Sequence, residues 1–317
     1  MFEIFGVPSQ ALFGQLLLGL INGSFYALLS LGLAVIFGML NVINFTHGAQ
    51  YMMGAFAAYM LLNGFDVPVL HFGASWIPTI SSLHIAVGLN YWCALLLAPI
   101  IVGITGLVIE RLFLRYLRNL DHLYGLILTF GLALVIEGVF RNSYGSSGKP
   151  YQVPEALQGG RNLGFMFLPN YRAWVIVFSL AVCFATWFAI ERTRLGSYLR
   201  AATENPTLVR AFGINVPRMV TLTYGFGVAL AALAGVMAAP IYNVSPQMGS
   251  DLIIVVFAVV VIGGMGSILG AILTGFALGI IEGLTKVFFP EASSTVIFVI
   301  MAIVLLVRPA GLFGRTV

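Results

Sequence analysis

The sequence predicts an all-α polytopic membrane protein of about nine transmembrane helices (eight to ten) with broken or glycine-rich segments, and three observations carry that prediction. Apolar runs of about the 20 residues that a bilayer-spanning helix needs recur along the whole chain. Hydrophobic side chains make up 60% of the residues and charged ones only 8%, against roughly 25% charged in a soluble domain, and the mean hydropathy is +1.02. The charges that do occur gather between the runs, above all in 191–218, where five of the 15 cations lie. Residues 1–317 therefore read as a single transmembrane domain.

The runs fall at 11–38, 48–63, 85–109, 123–140, 173–190, 219–242, 252–266, 268–287 and 293–307. The segment before them, MFEIFGVPSQ, has no basic stretch of the kind that opens a cleaved signal, so the first run is expected to be retained as a span. That run suits one tilted helix or a helix followed by a half-helix. Gly19, Gly23, Gly32 and Gly38 allow close helix approach within it, and Asn22, Ser24 and Tyr26 interrupt it with polar groups. Between the first two runs Asn41, Asn44, Thr46, His47, Gln50 and Tyr51 crowd together at a density lipid cannot satisfy, so they must face protein, water or a solute. Asn22, Ser24, Asn41, Asn44, His47 and Tyr51 are the candidates for lining a passage. An ordinary interhelical hydrogen-bond network is the alternative, and His47 alone reads first as a structural donor rather than a proton relay.

Two long connections, 64–84 and 141–172, fall on the outer side of a nine-span model, as receivers of an extracytoplasmic partner or as plain connectors. Glu137 has Arg141 four residues on and Glu282 has Lys286, the spacing of helical ion pairs. Asp251 is placed to cap a helix beginning at Leu252, and glycines around 263–270 suggest two short broken segments. Two weak internal echoes pair 109–119 with 190–201 and 37–48 with 262–271, the pattern of repeat-built transporters. Cys93 and Cys183 sit inside apolar runs and read as buried thiols rather than a disulfide.

With the N-terminus outside and the C-terminus cytoplasmic, ten cations fall inside (Arg111, Arg115, Arg118, the five of 191–218, Arg308 and Arg315) and five outside (Arg141, Lys149, Arg161, Arg172 and Lys286), as the positive-inside rule requires. The 191–218 segment also reads as structured. Ser197 is expected to cap a first helix, Asn205-Pro206 to open a second of about two turns, and Gly213 to close it in the left-handed conformation. A short surface helix with little of its own to pack on calls for a soluble partner, which makes the segment a docking element.

Several classes are excluded. Basic residues spread over the loops form no stripe that could follow nucleic-acid phosphates. Two cysteines and four scattered histidines make no metal set, and no catalytic constellation is apparent. Both lysines lie outside any GxxxxGK[ST] pattern, so the chain has no phosphate loop. The carboxylates form no proton or sodium pathway, which argues against a secondary transporter. A motor-free channel or facilitator for a small neutral solute such as urea remains the alternative to a membrane subunit driven by a separate motor.

The residues of 200–218, RAATENPTLVRAFGINVPR, resemble the coupling loop of ABC-importer permeases of the branched-chain amino acid uptake family. The stretch 31–59, the Glu110–Arg115 corner, IGGMGSILGAILTG at 262–275 and RPAGLFGR at 308–315 are also similar to that family. The resemblance spans nearly the whole chain. It implies the shorter, H-type permease of a bacterial inner-membrane importer, paired with a second permease and two ATPase subunits and served by an extracytoplasmic binding protein. It further implies that Arg200, Ala201, Ala202, Glu204, Asn205, Pro206, Arg210, Gly213 and Ile214 lie at or beside the ATPase contact. ATP and Mg would be bound by the partner, with no cofactor in this chain. Arg200 stands where a glutamate opens the general importer signature. The family architecture also serves urea, amides and aromatic acids beside branched-chain or related hydrophobic amino acids.

Overall fold

The computed structural model describes residues 3–4, 7–40, 44–72, 78–85, 87–117, 120–164 and 166–314. Asn41, Arg118 and Arg315, named above, lie outside the described residues. The chain is all-α in its body, as the apolar runs predict. Its helices are α1 (Ser9–Leu40), α2 (Thr46–Asn63), α3 (Tyr91–Ile109), α4 (Arg115–Leu117), α5 (His122–Tyr144), α6 (Asn170–Glu191), α7 (Arg194–Glu204), α8 (Pro206–Ala211), α9 (Val216–Ala238), α10 (Met248–Gly263), α11 (Ile268–Phe288) and α12 (Val296–Val307). A π-helical turn at Glu110–Leu114 joins α3 to α4. Among the described residues six helices are long and apolar enough to cross a membrane: α1, the α3–α4 rod, α5, α6, α9 and α11. The shorter apolar helices α10 and α12, with the more polar α2, complete the predicted set.

Local chemistry sets the boundaries. α1 is one continuous helix of 32 residues, so the half-helix alternative falls. α3 begins at Tyr91 rather than at 85, because Asn90 caps it by accepting from the Cys93 amide at 2.9 Å. Of the residues expected in the span before that, Ile85 ends a hairpin, β3 (Phe65–Phe72) paired antiparallel with β4 (Pro78–Ile85), and 87–90 lie outside regular structure. The 64–84 connection thus contains a strand pair. Two shorter antiparallel pairs occur, β1 (Glu3–Ile4) with β2 (Val7–Pro8) and β5 (Gly160–Asn162) with β6 (Phe167–Pro169).

α10 begins at Met248, four residues before the expected start, so Asp251 lies in the first turn and is not the cap. The extension follows from tertiary contact: a Cβ on Gly249 would collide with the Gly48 carbonyl of α2, so this turn is held by the neighbouring helix. α10 ends at Gly263, and Gly264 (φ +98°) makes the break that the glycine-rich sequence suggested. Cys183 is buried, but Cys93 is exposed in the first turn of α3, and both thiols are free.

The core is built from α1, α2, α3, α9, α10 and α11 with one face of α6, and α5 is largely exposed at the periphery. Glycines make the crossings. A Cβ on Gly19 would stand 2.5 Å from the Gly279 carbonyl oxygen, one on Gly23 3.1 Å from Phe276 Cα, and one on Gly275 2.6 Å from Ala27 Cα. α1 and α11 therefore touch backbone to backbone over three turns, the small-residue packing that substitutes for hydrophobic drive inside lipid. α9 crosses α1 in the same way at Gly32 and Gly227, and α2 at Gly54 and Gly235.

The connections divide between two ends of the bundle. At the predicted outer end Lys149 and Val244 form an antiparallel bridge between the α5–α6 and α9–α10 connections. There Tyr91, Tyr151, Tyr171 and Trp174 make an edge-on aromatic cluster, of the kind that marks a membrane interface. Burial pushes the Tyr151 phenol up to about 12. At the opposite end the Leu312 amide bonds the Ile262 carbonyl at 2.8 Å, which folds the C-terminal segment onto the α10–α11 turn.

Valine at Gly279 is expected to destabilise the protein by on the order of 2 kcal/mol or more through overpacking. Valine at Gly138, where no atom lies within 4 Å of a Cβ, should cost well under half of that. Thermal unfolding of the two variants in detergent checks the difference.

Candidate functional site

Two constellations hold the candidate residues. The first is a cavity of about 220 Å³ lined by Asn22, Phe25, Tyr26, Tyr51, Tyr242, Met248, Asp251 and Leu252. It is small beside the roughly 300–1,000 Å³ of a typical ligand pocket. α1 supplies one wall, the first turns of α2 and α10 another, and the connection after α9 closes it with Tyr242. Its polar rim is wired through Glu282 of α11. The Tyr26 hydroxyl donates to Glu282 Oε2 at 2.7 Å, the Asn22 amide to Oε1 at 3.5 Å, and Lys286 makes the anticipated ion pair with the same carboxylate. The Tyr242 hydroxyl donates to Asn22 Oδ1 at 2.7 Å. Glu282 is therefore more than one half of a helical ion pair: it fixes two side chains of the cavity wall.

Of the six residues proposed for a passage, Asn22 and Tyr51 meet here. Ser24 does not, since it is fully buried and its hydroxyl donates to the Leu20 carbonyl of its own helix at 2.9 Å. Asn44 is turned to another purpose. Its amide and that of Gln50 both donate to the Tyr224 hydroxyl of α9, at 3.1 and 3.0 Å, and its Oδ1 accepts from the Thr46 amide at the start of α2. His47 is fully buried with Nε2 3.0 Å from the Leu29 carbonyl. A carbonyl only accepts, so Nε2 carries the proton. Nδ1 has no partner among the described residues. Tyr242, Met248 and Asp251 were not singled out for this site by their sequence; only the fold of the α9–α10 connection brings them over α1. Glu137 pairs with Arg141 on the exposed α5.

The second constellation is the α7–α8 element. α7 starts at Arg194, three residues before Ser197, with Thr193 at the cap position. Gly196 lies inside the first turn, against the Ile190 carbonyl, so that glycine serves close approach to α6 and not helix initiation. Arg200 is drawn back the same way, its guanidinium 3.3 Å from Glu191. This differs from the first echo partner, because Glu110 is buried and accepts from Thr221 at 2.6 Å. Asn205 caps α8 by accepting from the Leu208 amide at 2.9 Å, and Pro206 occupies its first turn. Gly213 closes it at φ +83° in open space, so conformation alone explains the glycine.

The element shares a small core with the start of α9: Ala202 and Val209 are buried with Val216 and Val220 of α9, and Ile214 packs against them. That corrects the expectation that it has little to pack on. Its outer surface carries Ala201, Glu204 and Arg210, all exposed, and the large apolar Leu208 and Phe212, 56% and 77% exposed. Apolar side chains so exposed on an ordered surface element mark an interaction site.

A bundle of spanning helices with glycine-broken segments, a small polar cavity at one end and an ordered apolar-faced element at the other defines a multi-pass membrane permease. The chain belongs to the family described as the permease component of branched-chain amino acid transport systems, whose profile matches residues 15–305. It is 31% identical to the high-affinity branched-chain amino acid transport system permease protein LivH of Escherichia coli K12 and to BraD of Pseudomonas aeruginosa, each over 95% of both chains. It is also 24% identical to the probable permease LivM of Methanocaldococcus jannaschii over 90% of both. No solved structure matches it.

Exchange of Glu282 for alanine leaves the buried Tyr26 hydroxyl without its acceptor, while the partly exposed Lys286 ammonium turns to solvent, and is expected to cost about 2 kcal/mol. Tyr26→Phe removes one hydrogen bond and should cost about 1 kcal/mol. Denaturation of both variants in mixed micelles measures the two costs.

Proposed function

We propose that this chain is a permease subunit of an ATP-driven importer in a bacterial inner membrane, carrying branched-chain or related hydrophobic amino acids. The observation that carries the reading is the α7–α8 element, a pair of helices cored against the start of α9 that presents Leu208 and Phe212 outward at the arginine-rich end of the bundle. The charge bias makes that end cytoplasmic, which puts the N-terminus outside and the C-terminus inside. A surface of this kind suits a soluble ATPase. Hydrolysis then belongs to the partner, with its ATP and Mg, and this chain is not an enzyme.

In the full assembly a second permease and two ATPase subunits complete the importer, and an extracytoplasmic binding protein delivers solute to the outer end. The cavity beneath Tyr242 would form this subunit's side of the passage. Phe25, Met248 and Leu252 offer apolar contact to a side chain, and Asp251 and the tyrosines offer polar contact to an ammonium group. The solute assignment rests on the names of the relatives. Closure of the ATPase pair would displace α7–α8 and rock the adjoining spans, which requires the element to bind the motor differently in two states.

Uptake of radiolabelled leucine into proteoliposomes holding the whole complex and its binding protein tests this reading. The parent should require ATP, and Leu208→Asp with Phe212→Asp should lower uptake about tenfold or more without loss of the permease fold. Equilibration of leucine or urea through this chain without ATP, unaffected by those changes, would establish the motor-free channel instead.

A further inference from the structure

A second cavity, of about 440 Å³, opens at the inner end of α3 and α9 and is lined by Arg111, Arg115, Asn215, Pro217, Arg218 and Thr221. It is separate from the cavity beneath Tyr242 and from the exposed residues of α8. Three guanidiniums from two different elements converge on it. Among the described residues none of the three makes an ion pair. The acid beside it, Glu110, is fully buried and accepts from Thr221, and among the described residues no carboxylate lines the space.

Arginines placed only to satisfy the positive-inside bias would be spread around the helix ends and solvated singly. Here they share one concavity, and each side of it continues into the membrane as an apolar track. On α9 the face that starts at Arg218 carries exposed Leu222 and Phe226 at successive four-residue steps. On α3 the face below Arg111 carries exposed Val108, Ile104 and Ile100. Fixed positive charge at the boundary with apolar surface leading from it into the bilayer is complementary to a phosphate attached to acyl chains, and less so to a free anion or an acidic protein segment.

We propose that this cavity holds the headgroup of an anionic phospholipid, with the phosphate among Arg111, Arg115 and Arg218 and the chains along the two tracks. Arg218 lies in the first turn of α9, just after the α7–α8 element, whereas Arg111 lies within the π-helical turn that follows α3 and Arg115 directly after it. A bound lipid therefore ties the coupling element to a neighbouring span, and anionic lipid content becomes an input to the resting position of that element. Neither the solute nor the ATPase contact enters this step.

Native mass spectrometry of the purified complex, titrated with phosphatidylglycerol, phosphatidylcholine and glycerol phosphate, tests it. The parent should retain phosphatidylglycerol in preference to phosphatidylcholine. R111Q/R115Q/R218Q should raise the half-saturating concentration on the order of a hundredfold, and Arg308→Gln, at the same end but outside the cavity, should leave it unchanged. Lysine at the three positions should restore part of the binding, since charge is kept and the planar fork lost. If the triple variant fails to assemble, Arg115→Gln and Arg218→Gln singly carry the comparison, each expected to raise it about fivefold. Equal lipid retention by parent and variants overturns the proposal. So does glycerol phosphate binding as tightly as the lipid, which would make the cavity a soluble-anion site. Loss of an ATPase subunit from the triple variant with lipid binding intact would make it a protein contact and also overturn it.

Discussion

Inside a bilayer, burial of apolar surface does not draw two helices together, because lipid is as apolar as the helix; only close packing and hydrogen bonding do. The α1–α11 seam answers that constraint, and the rest of the bundle depends on it. Gly19 and Gly23 face Gly279 and Gly275 at distances that exclude any side chain. The same seam sets the polar chemistry. Asn22 adjoins Gly23 and Glu282 adjoins Gly283, so the approach that lets the backbones touch also brings the Tyr26 hydroxyl within 2.7 Å of the Glu282 carboxylate. A wider helix pair would leave that carboxylate to find water or lose its charge. Glycine packing and the buried acid are one design.

α2 shows how the same constraint treats polar residues. Its first turns contain Thr46, His47, Gln50 and Tyr51, all buried, and it is less apolar than the six helices of spanning length. It packs chiefly on α9, α3 and α10, and α1 and α9 supply partners for its polar groups: the Leu29 carbonyl for His47 and the Tyr224 hydroxyl for Gln50 and Asn44. The polar cluster therefore divides. One part cross-links α2 to α1 and α9, and Tyr51 alone turns toward the cavity.

Much of this was legible in the sequence. The apolar runs marked every long helix, because span length and hydropathy are properties of the local chain. Asn205-Pro206 and Gly213 marked α8, since caps and left-handed turns depend on single residues. What failed depended on other parts of the chain. Ser197 looked like the cap of a first helix, but α7 starts three residues earlier with Gly196 against the Ile190 carbonyl, and Asp251 looked like a cap, but α10 starts at Met248 with Gly249 against Gly48 of α2. Ser24 and Asn44 looked like passage residues, yet their partners are respectively in the same helix and 180 residues away. Polarity within a span says that a partner exists; only the fold says which.

The placement of α9 links the two constellations. Its first residue follows the α7–α8 element, and Val216 and Val220 belong to that element's small core. Its last turn leads into the connection that carries Tyr242 over the outer cavity. Between them lie 23 residues of unbroken helix, a rod of about 35 Å that crosses α1 and α2 on glycines, meshes with α3 where Val228 fills the space at Gly106 and Leu107 that at Gly225, and is tied to α2 through Tyr224. On the importer reading, a displacement at the ATPase surface reaches the outer cavity through this rod without any change of secondary structure. Because large side chains mesh it with α3, the rod carries its neighbours with it rather than slipping past them. The glycine crossings supply the closeness that packing in lipid demands, and the side-chain ties between them make the helices move together.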